Sequence, residues 1–134
     1  MIGIIVAAHG RLATELVATA ELIVGAIPQC TPCNISPGLS LQGMEEEIAH
    51  AVQLVDTGDG TLVLSDLVGG TPCTRSMALC QKKSSLEVLT GVSLPMLLKA
   101  HSLRTNRTLR EVAHQVVDAS RLAVRWVTED AARR

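Results

Sequence analysis

The chain has 134 residues, 47% of them hydrophobic, which suffices for one domain with a core and excludes global disorder. The formal net charge is −1, so nothing electrostatic points to nucleic acid as a partner. With one Trp, no Tyr and no Phe, the core must be Leu, Val, Ile and Ala, and aromatic platforms for stacking bases or sugars are excluded.

Residues 2–8 form an apolar, β-branched run of the kind buried on both faces of a parallel sheet. It ends at His9, and Gly10 turns the chain into a helix predicted from Arg11 to Gly25, with Leu12, Leu16, Thr19, Ala20 and Ile23 recurring at three and four. Residues 29–35 read as a weaker second strand, disturbed by Pro28 and Pro32. Pro37-Gly38 is a turn, and Ser40 caps a second helix to about Val55, with Glu45, Glu46 and Glu47 in its early turns. Gly58-Asp59-Gly60 breaks the chain before a third strand, Thr61 to Asp66.

A third helix is predicted from Pro72 to about Lys83, with Thr71 as its cap, and a fourth strand from Leu86 to Thr90. Leu94 to Leu103 is helical, with Pro95 in its first turn. A last amphipathic helix is predicted from about Thr108 to Val127. The alternation indicates an α/β layered fold with a largely parallel sheet; one domain over residues 1–134 is expected, a three-layer sandwich with strand order 2-1-3-4. No run reaches the roughly 18 apolar residues of a membrane span, so no direct membrane insertion is expected. No basic region precedes the first apolar run, as a signal peptide requires. The chain is therefore expected in the cytoplasm, with its four cysteines reduced.

In open α/β sheets, ligands bind beyond the carboxyl ends of the strands. His9 follows strand 1 and Asp66 closes strand 3, and the order 2-1-3-4 makes those strands neighbours. Asp66 is then placed to accept a hydrogen bond from one ring nitrogen, which fixes the tautomer and leaves the other nitrogen free to attack. Gly69-Gly70-Thr71-Pro72 opens helix 3, whose free amides and positive dipole end suit an anion. Gly10, Gly69, Gly70 and Thr71 are thus candidate phosphate-binding residues. Singly, each feature has an ordinary reading: an exposed histidine, an acidic strand end, a tight turn. Jointly, they point to phosphoryl transfer through phosphohistidine, with His9 and Asp66 as candidate catalytic residues.

Three stretches, Ala8-His9-Gly10, Asp66-Leu-Val-Gly69-Gly70-Thr71-Pro72 and Gly91-Val-Ser-Leu-Pro95-Met96-Leu97, resemble the enzyme IIA domain of the mannose family of the sugar phosphotransferase system. The resemblance spans about residues 1–127. It implies that His9 is phosphorylated by the carrier HPr and that Asp66 orients it. The phosphoryl group then passes to a IIB protein. Thr71 stands where the family commonly has Ser, with a hydroxyl suited to the same role, which the resemblance makes the third candidate catalytic residue. Cys73-Thr74 stands where the family usually has Phe-Asn, a difference expected at the partner surface rather than in the chemistry. The resemblance also implies a homodimer, often with an exchanged carboxy-terminal strand added antiparallel at the sheet edge. Because the chain ends at Ala131-Ala-Arg-Arg134, the IIB acceptor is expected to be another chain.

Cys30-Thr-Pro-Cys33 has redox-motif spacing but is followed by poor helix sequence, and no second pair completes a zinc set. No metal is expected. His50, His101 and His114 share no common spacing. The Gly69-Gly70 turn lacks the Lys-Ser/Thr pair of a P-loop, so ATP has no recognisable site and no cofactor is expected. Three rival readings remain at this level: a phosphorylation-controlled regulatory module, the phosphocarrier of dihydroxyacetone kinase, and a flavodoxin-like small-ligand binder.

Overall fold

In a computed structural model describing residues 1–67, 70–80 and 85–133, the first strand, β1 (Gly3–His9), is buried along all but its last residue. It lies at the centre because its side chains are apolar on both sides. Ile4, Val6 and Ala8 point to one face, and Ile5 and Ala7 to the other. Each fully buried Ile or Val here contributes about 1.5–3 kcal/mol, so a charge at Ile4 or Ile5 is the change that would break the sheet. β1 pairs in parallel with β2 (Cys30–Ile35) on one side and β3 (Thr61–Ser65) on the other. β3 in turn pairs with β4 (Leu86–Leu89). The order is 2-1-3-4, as expected.

Two helical layers cover the sheet. On the Ile4 face lie α1 (Leu12–Val24), α4 (Leu94–Leu103) and α5 (Leu109–Leu122), through Ala13, Val17, Leu97, Ala100, Val112 and Val116. On the Ile5 face lie α2 (Leu41–Val55) and α3 (Thr71–Cys80), through Met44, Ile48, Val52 and Leu79. The helix starts follow local chemistry. The Ser40 hydroxyl accepts from the Gly43 N–H at 3.0 Å, and Thr108 and Glu111 form a reciprocal capping box.

Two expectations need correction. Helix α3 begins at Thr71 rather than Pro72, because the Gly70 carbonyl already accepts the Thr74 N–H at 2.9 Å. Gly70, not Thr71, is therefore the cap position. The predicted far end of this helix, at Lys83, lies outside the described residues. The last predicted helix divides: α5 stops at Leu122, and a separate short helix, α6, spans Val127–Ala132. Beyond Val116 no position of α5 is buried, so packing no longer supports the helix. Ser120 also turns its hydroxyl onto the Val116 carbonyl at 2.6 Å, a bond that weakens helices. Trp126 is 71% exposed, with its indole N–H on the Thr128 hydroxyl.

At the amino ends of the strands sits a residue without a sequence signal. Arg104 is 1% exposed, and its guanidinium donates to the carbonyls of Ile2 and Gln29, both at 3.2 Å, and of Pro28. Burial lowers its pKa from the ordinary value, and a nearby Cys30 acts in the opposite direction. It staples the end of α4 to the starts of β1 and β2.

Candidate functional site

The sheet brings His9 and Asp66 together. Ala7 is paired with Ser65 across β1 and β3, so both strands run out side by side. Alternation along β1 puts the His9 side chain on the Ile5 face, the side covered by α3. The Asp66 Oδ2 accepts two hydrogen bonds from His9, from its backbone N–H at 3.0 Å and from ring Nδ1 at 2.8 Å. Oδ1 accepts the Leu67 N–H at 2.9 Å. An ionised carboxylate only accepts, so Nδ1 carries the proton. In the neutral ring the lone pair then sits on Nε2. The His9 side chain is 47% exposed and that of Asp66 12%, so the ring is reachable while its anchor is largely covered.

Burial alone pushes the Asp66 carboxyl up. The bonds from the His9 backbone, the His9 ring and the Leu67 N–H outweigh it and hold the group below its ordinary range. Asp66 therefore stays ionised wherever the ring works.

Gly70 packs on the ring itself. A Cβ built there would lie 3.0 Å from His9 Cε1 and 3.3 Å from the Leu67 Cβ, so any side chain would displace the imidazole. Thr71 follows as the first residue of α3, half-buried, in the turn whose N–H groups have no partner within a helix. Gly10 adopts φ +59°, which glycine tolerates, and its N–H donates to the Ile35 carbonyl at 3.2 Å. Gly69 lies outside the described residues. His9, Asp66, Gly70 and Thr71 are thus adjacent. Of the Cys73-Thr74 pair only Thr74 is exposed, and its hydroxyl bonds the Gly70 carbonyl at 3.1 Å, whereas Cys73 is buried.

Two supports carried no signal when read singly. Asn34, at the end of β2, accepts the Thr14 N–H at 3.2 Å and donates to the Thr14 hydroxyl. It thereby fixes the first turn of α1, whose own Arg11 provides no side-chain cap. The turn after β4 prolongs β3: the Val92 N–H donates to the Ser65 carbonyl at 2.9 Å and the Gly91 N–H to the Asp66 carbonyl at 3.3 Å. Exposed Leu12, Leu41 and Leu67 stand at the same end of the sheet, each just past a strand or at the start of a helix.

The Cys30/Cys33 pair cannot act together. Cys30 packs with the Ile4 face and Cys33 with the Ile5 face, so the sheet separates them. Burial pushes both thiols up to about 11, which keeps them protonated. His50, His101 and His114 lie on separate helices, α2, α4 and α5. Among the described residues, no three His, Cys, Asp or Glu side chains converge as a metal site would need. Nor, among them, is any helix long and apolar enough to cross a membrane.

A family profile described as the PTS system fructose IIA component matches residues 3–117. The chain is 30% identical over 118 residues to the putative phosphotransferase enzyme IIA component YadI of Escherichia coli, covering 88% of this chain and 81% of that one. It is 30% identical over 114 residues to the sorbose-specific EIIA component of Lacticaseibacillus casei, covering 85% and 82%. Among solved structures, the phosphotransferase system component EIIA from Streptococcus agalactiae superposes with a TM-score of 0.89 at 29% identity, covering 96% of this chain and 99% of that one. The mannose/sorbose specific IIA subunit from Enterococcus faecalis gives 0.84 at 28%, covering 92% of each.

Proposed function

The chain belongs to the mannose-type IIA family of the sugar phosphotransferase system, and from that premise we propose that it is a phosphohistidine carrier acting through His9. The observation that supports this most is the 2.8 Å contact between His9 Nδ1 and Asp66 Oδ2, on a ring whose side chain is 47% exposed. In the reaction, the Nε2 lone pair attacks the phosphorus of a phosphohistidine on the donor, HPr. The Nε2–P bond forms as the donor's N–P bond breaks, and that electron pair returns to the donor nitrogen. The ring gains positive charge while retaining its Nδ1 proton, and the Asp66 carboxylate stabilises that charge. The two nitrogens lie in line through phosphorus, and donors at the start of α3 meet the equatorial phosphoryl oxygens. Discharge to a IIB protein reverses the sequence. The exposed Leu12, Leu41 and Leu67 offer an apolar rim for the two partners, which dock in turn in the cytoplasm.

The protein acts as a homodimer in this reading. Leu122, Val124 and Trp126 stand at alternate positions in the chain and are all exposed, apolar surface left uncovered among the described residues. β4 offers an open edge. The other edge is blocked: with the Ile4 N–H on the Gln29 carbonyl, ladder parity turns the Pro32 nitrogen outward, where it has no proton to give. The segment of a second copy completing the sheet at β4 satisfies both surfaces.

The test is phosphotransfer in vitro from phosphoenolpyruvate through enzyme I and HPr. Wild-type protein should become labelled at one histidine. His9→Gln should abolish the label, while His50→Gln, His101→Gln and His114→Gln should keep it. Full labelling of the His9 variant, or none of the wild type, overturns the reading.

A further inference from the structure

We propose that Gly91 is a positioning residue for His9, acting through the main chain of Asp66; the proposal rests on the phosphocarrier reading for its kinetic consequence only. Asp66 is not itself part of the sheet. β3 ends at Ser65, whose pairing with Ala7 is the last between β1 and β3, and pairing to β4 ends one residue earlier, at Leu64 and Leu89. Beyond that point the β3 backbone has two further ties on the β4 side. Val92 N–H holds the Ser65 carbonyl at 2.9 Å, and Gly91 N–H holds the Asp66 carbonyl at 3.3 Å. The carboxylate that fixes the tautomer of His9 is thus anchored at its own backbone by the turn after β4.

That turn depends on one residue. Gly91 has φ +74°, a conformation L side chains rarely adopt, yet a Cβ there would meet nothing within 4 Å. Glycine is required for backbone shape and not for space. A substitution that drives φ negative withdraws the N–H from Asp66 without introducing a clash. The carboxylate gains freedom, and the ring loses its fixed Nδ1 proton. Asn tolerates the left-handed region better than other residues with a Cβ. Gly25 provides a matched comparison. It has φ +84° and equally open surroundings, and it lies beyond the last turn of α1, away from the site.

The experiment reads the nitrogen-15 signals of the His9 ring at neutral pH, together with transfer from phosphorylated HPr. Gly91→Ala should shift His9 from the Nδ1–H form toward the tautomer mixture of a free imidazole. It should slow transfer about 10-fold, with KM for the donor unchanged, a modest loss for a small misplacement. Gly91→Asn should restore both readings. Gly25→Ala should lower the melting temperature comparably and leave the His9 signals unmoved. A Gly91→Ala protein with wild-type His9 signals, or a Gly25→Ala protein with an equal shift, overturns the proposal. In the wild type, acid titration of Asp66 should move the Gly91 amide resonance together with that of His9 Nδ1. A Gly91 amide that stays still overturns it even if the Ala variant does not fold. The spectroscopic readings need no phosphate, so failure of phosphotransfer alone refutes the carrier reading and not this one.

Discussion

Replacing Asp66 by Asn preserves shape and removes charge, and the geometry says which way the new amide will sit. Oδ2 now accepts from the His9 N–H and from Nδ1, while Oδ1 accepts from the Leu67 N–H. With the amide oxygen in the Oδ2 position, both His9 bonds survive and only the Leu67 N–H faces another donor. Flipped, the amide would confront the His9 backbone N–H and force the proton onto Nε2, the nitrogen that must attack. The first orientation is better, so Asp66→Asn should keep the tautomer and lose the charge. The bond to the backbone is the same before and during transfer and does not affect the rate. The bond to Nδ1 strengthens as the ring becomes cationic, and converting a charge-assisted bond to a neutral one there costs about 1–1.5 kcal/mol, the difference between the two kinds of bond. That corresponds to a rate roughly 5- to 13-fold slower. Single-turnover transfer from labelled phospho-HPr measures it, with the His9 nitrogen signals recorded on the same sample. A wild-type rate would refute the electrostatic role, and an Nε2–H ring would refute the orientation.

Three further outcomes follow from the same site and its surroundings. Gly70→Ala places a methyl 3.0 Å from His9 Cε1, so the half-exposed ring must retreat by a few tenths of an ångström. Transfer should fall about 10-fold with little change in melting temperature, and an unchanged rate would show that the contact is idle. Asp66 is held below its ordinary pKa, so its contribution to stability is complete above about pH 3.9 and is lost as pH falls through the lower folded value. Urea unfolding should find the gap between wild type and Asp66→Asn narrowing on acidification below pH ~4, and a gap that widens contradicts the sign. Truncation after Arg121 removes Leu122, Val124 and Trp126 and should yield a folded monomer by sedimentation. A truncated chain that remains dimeric clears this segment of any part in assembly.

Much of the architecture was legible along the chain, because periodicity and punctuation are local. The strand Gly3–His9, buried as far as Ala8, reads as an apolar run, and helices α2 and α5 announce their starts through Ser40 and Thr108. The pairing of His9 with Asp66 followed from the strand ends, which are patterns of sequence, together with an expected sheet order that the tertiary structure bears out. Three things were decided only in three dimensions. Helix α5 stops at Leu122 because packing support for its inward face runs out after Val116, which periodicity cannot show. Cys30 and Cys33 are divided by the sheet that contains them, although their spacing along the chain is that of a pair. Arg104 is buried because three backbone carbonyls from the segments leading into β1 and β2 converge on it, more than seventy positions away in the chain. Hydrophobic pattern marks most of what goes inside, although Leu12 and Ile23 of the stripe expected for α1 are exposed while Ala13, Val17 and Ala20 are buried. It does not determine where a main-chain carbonyl will need a donor, since that depends on where other segments end. The ties that hold Asp66 beneath His9 are of this second kind.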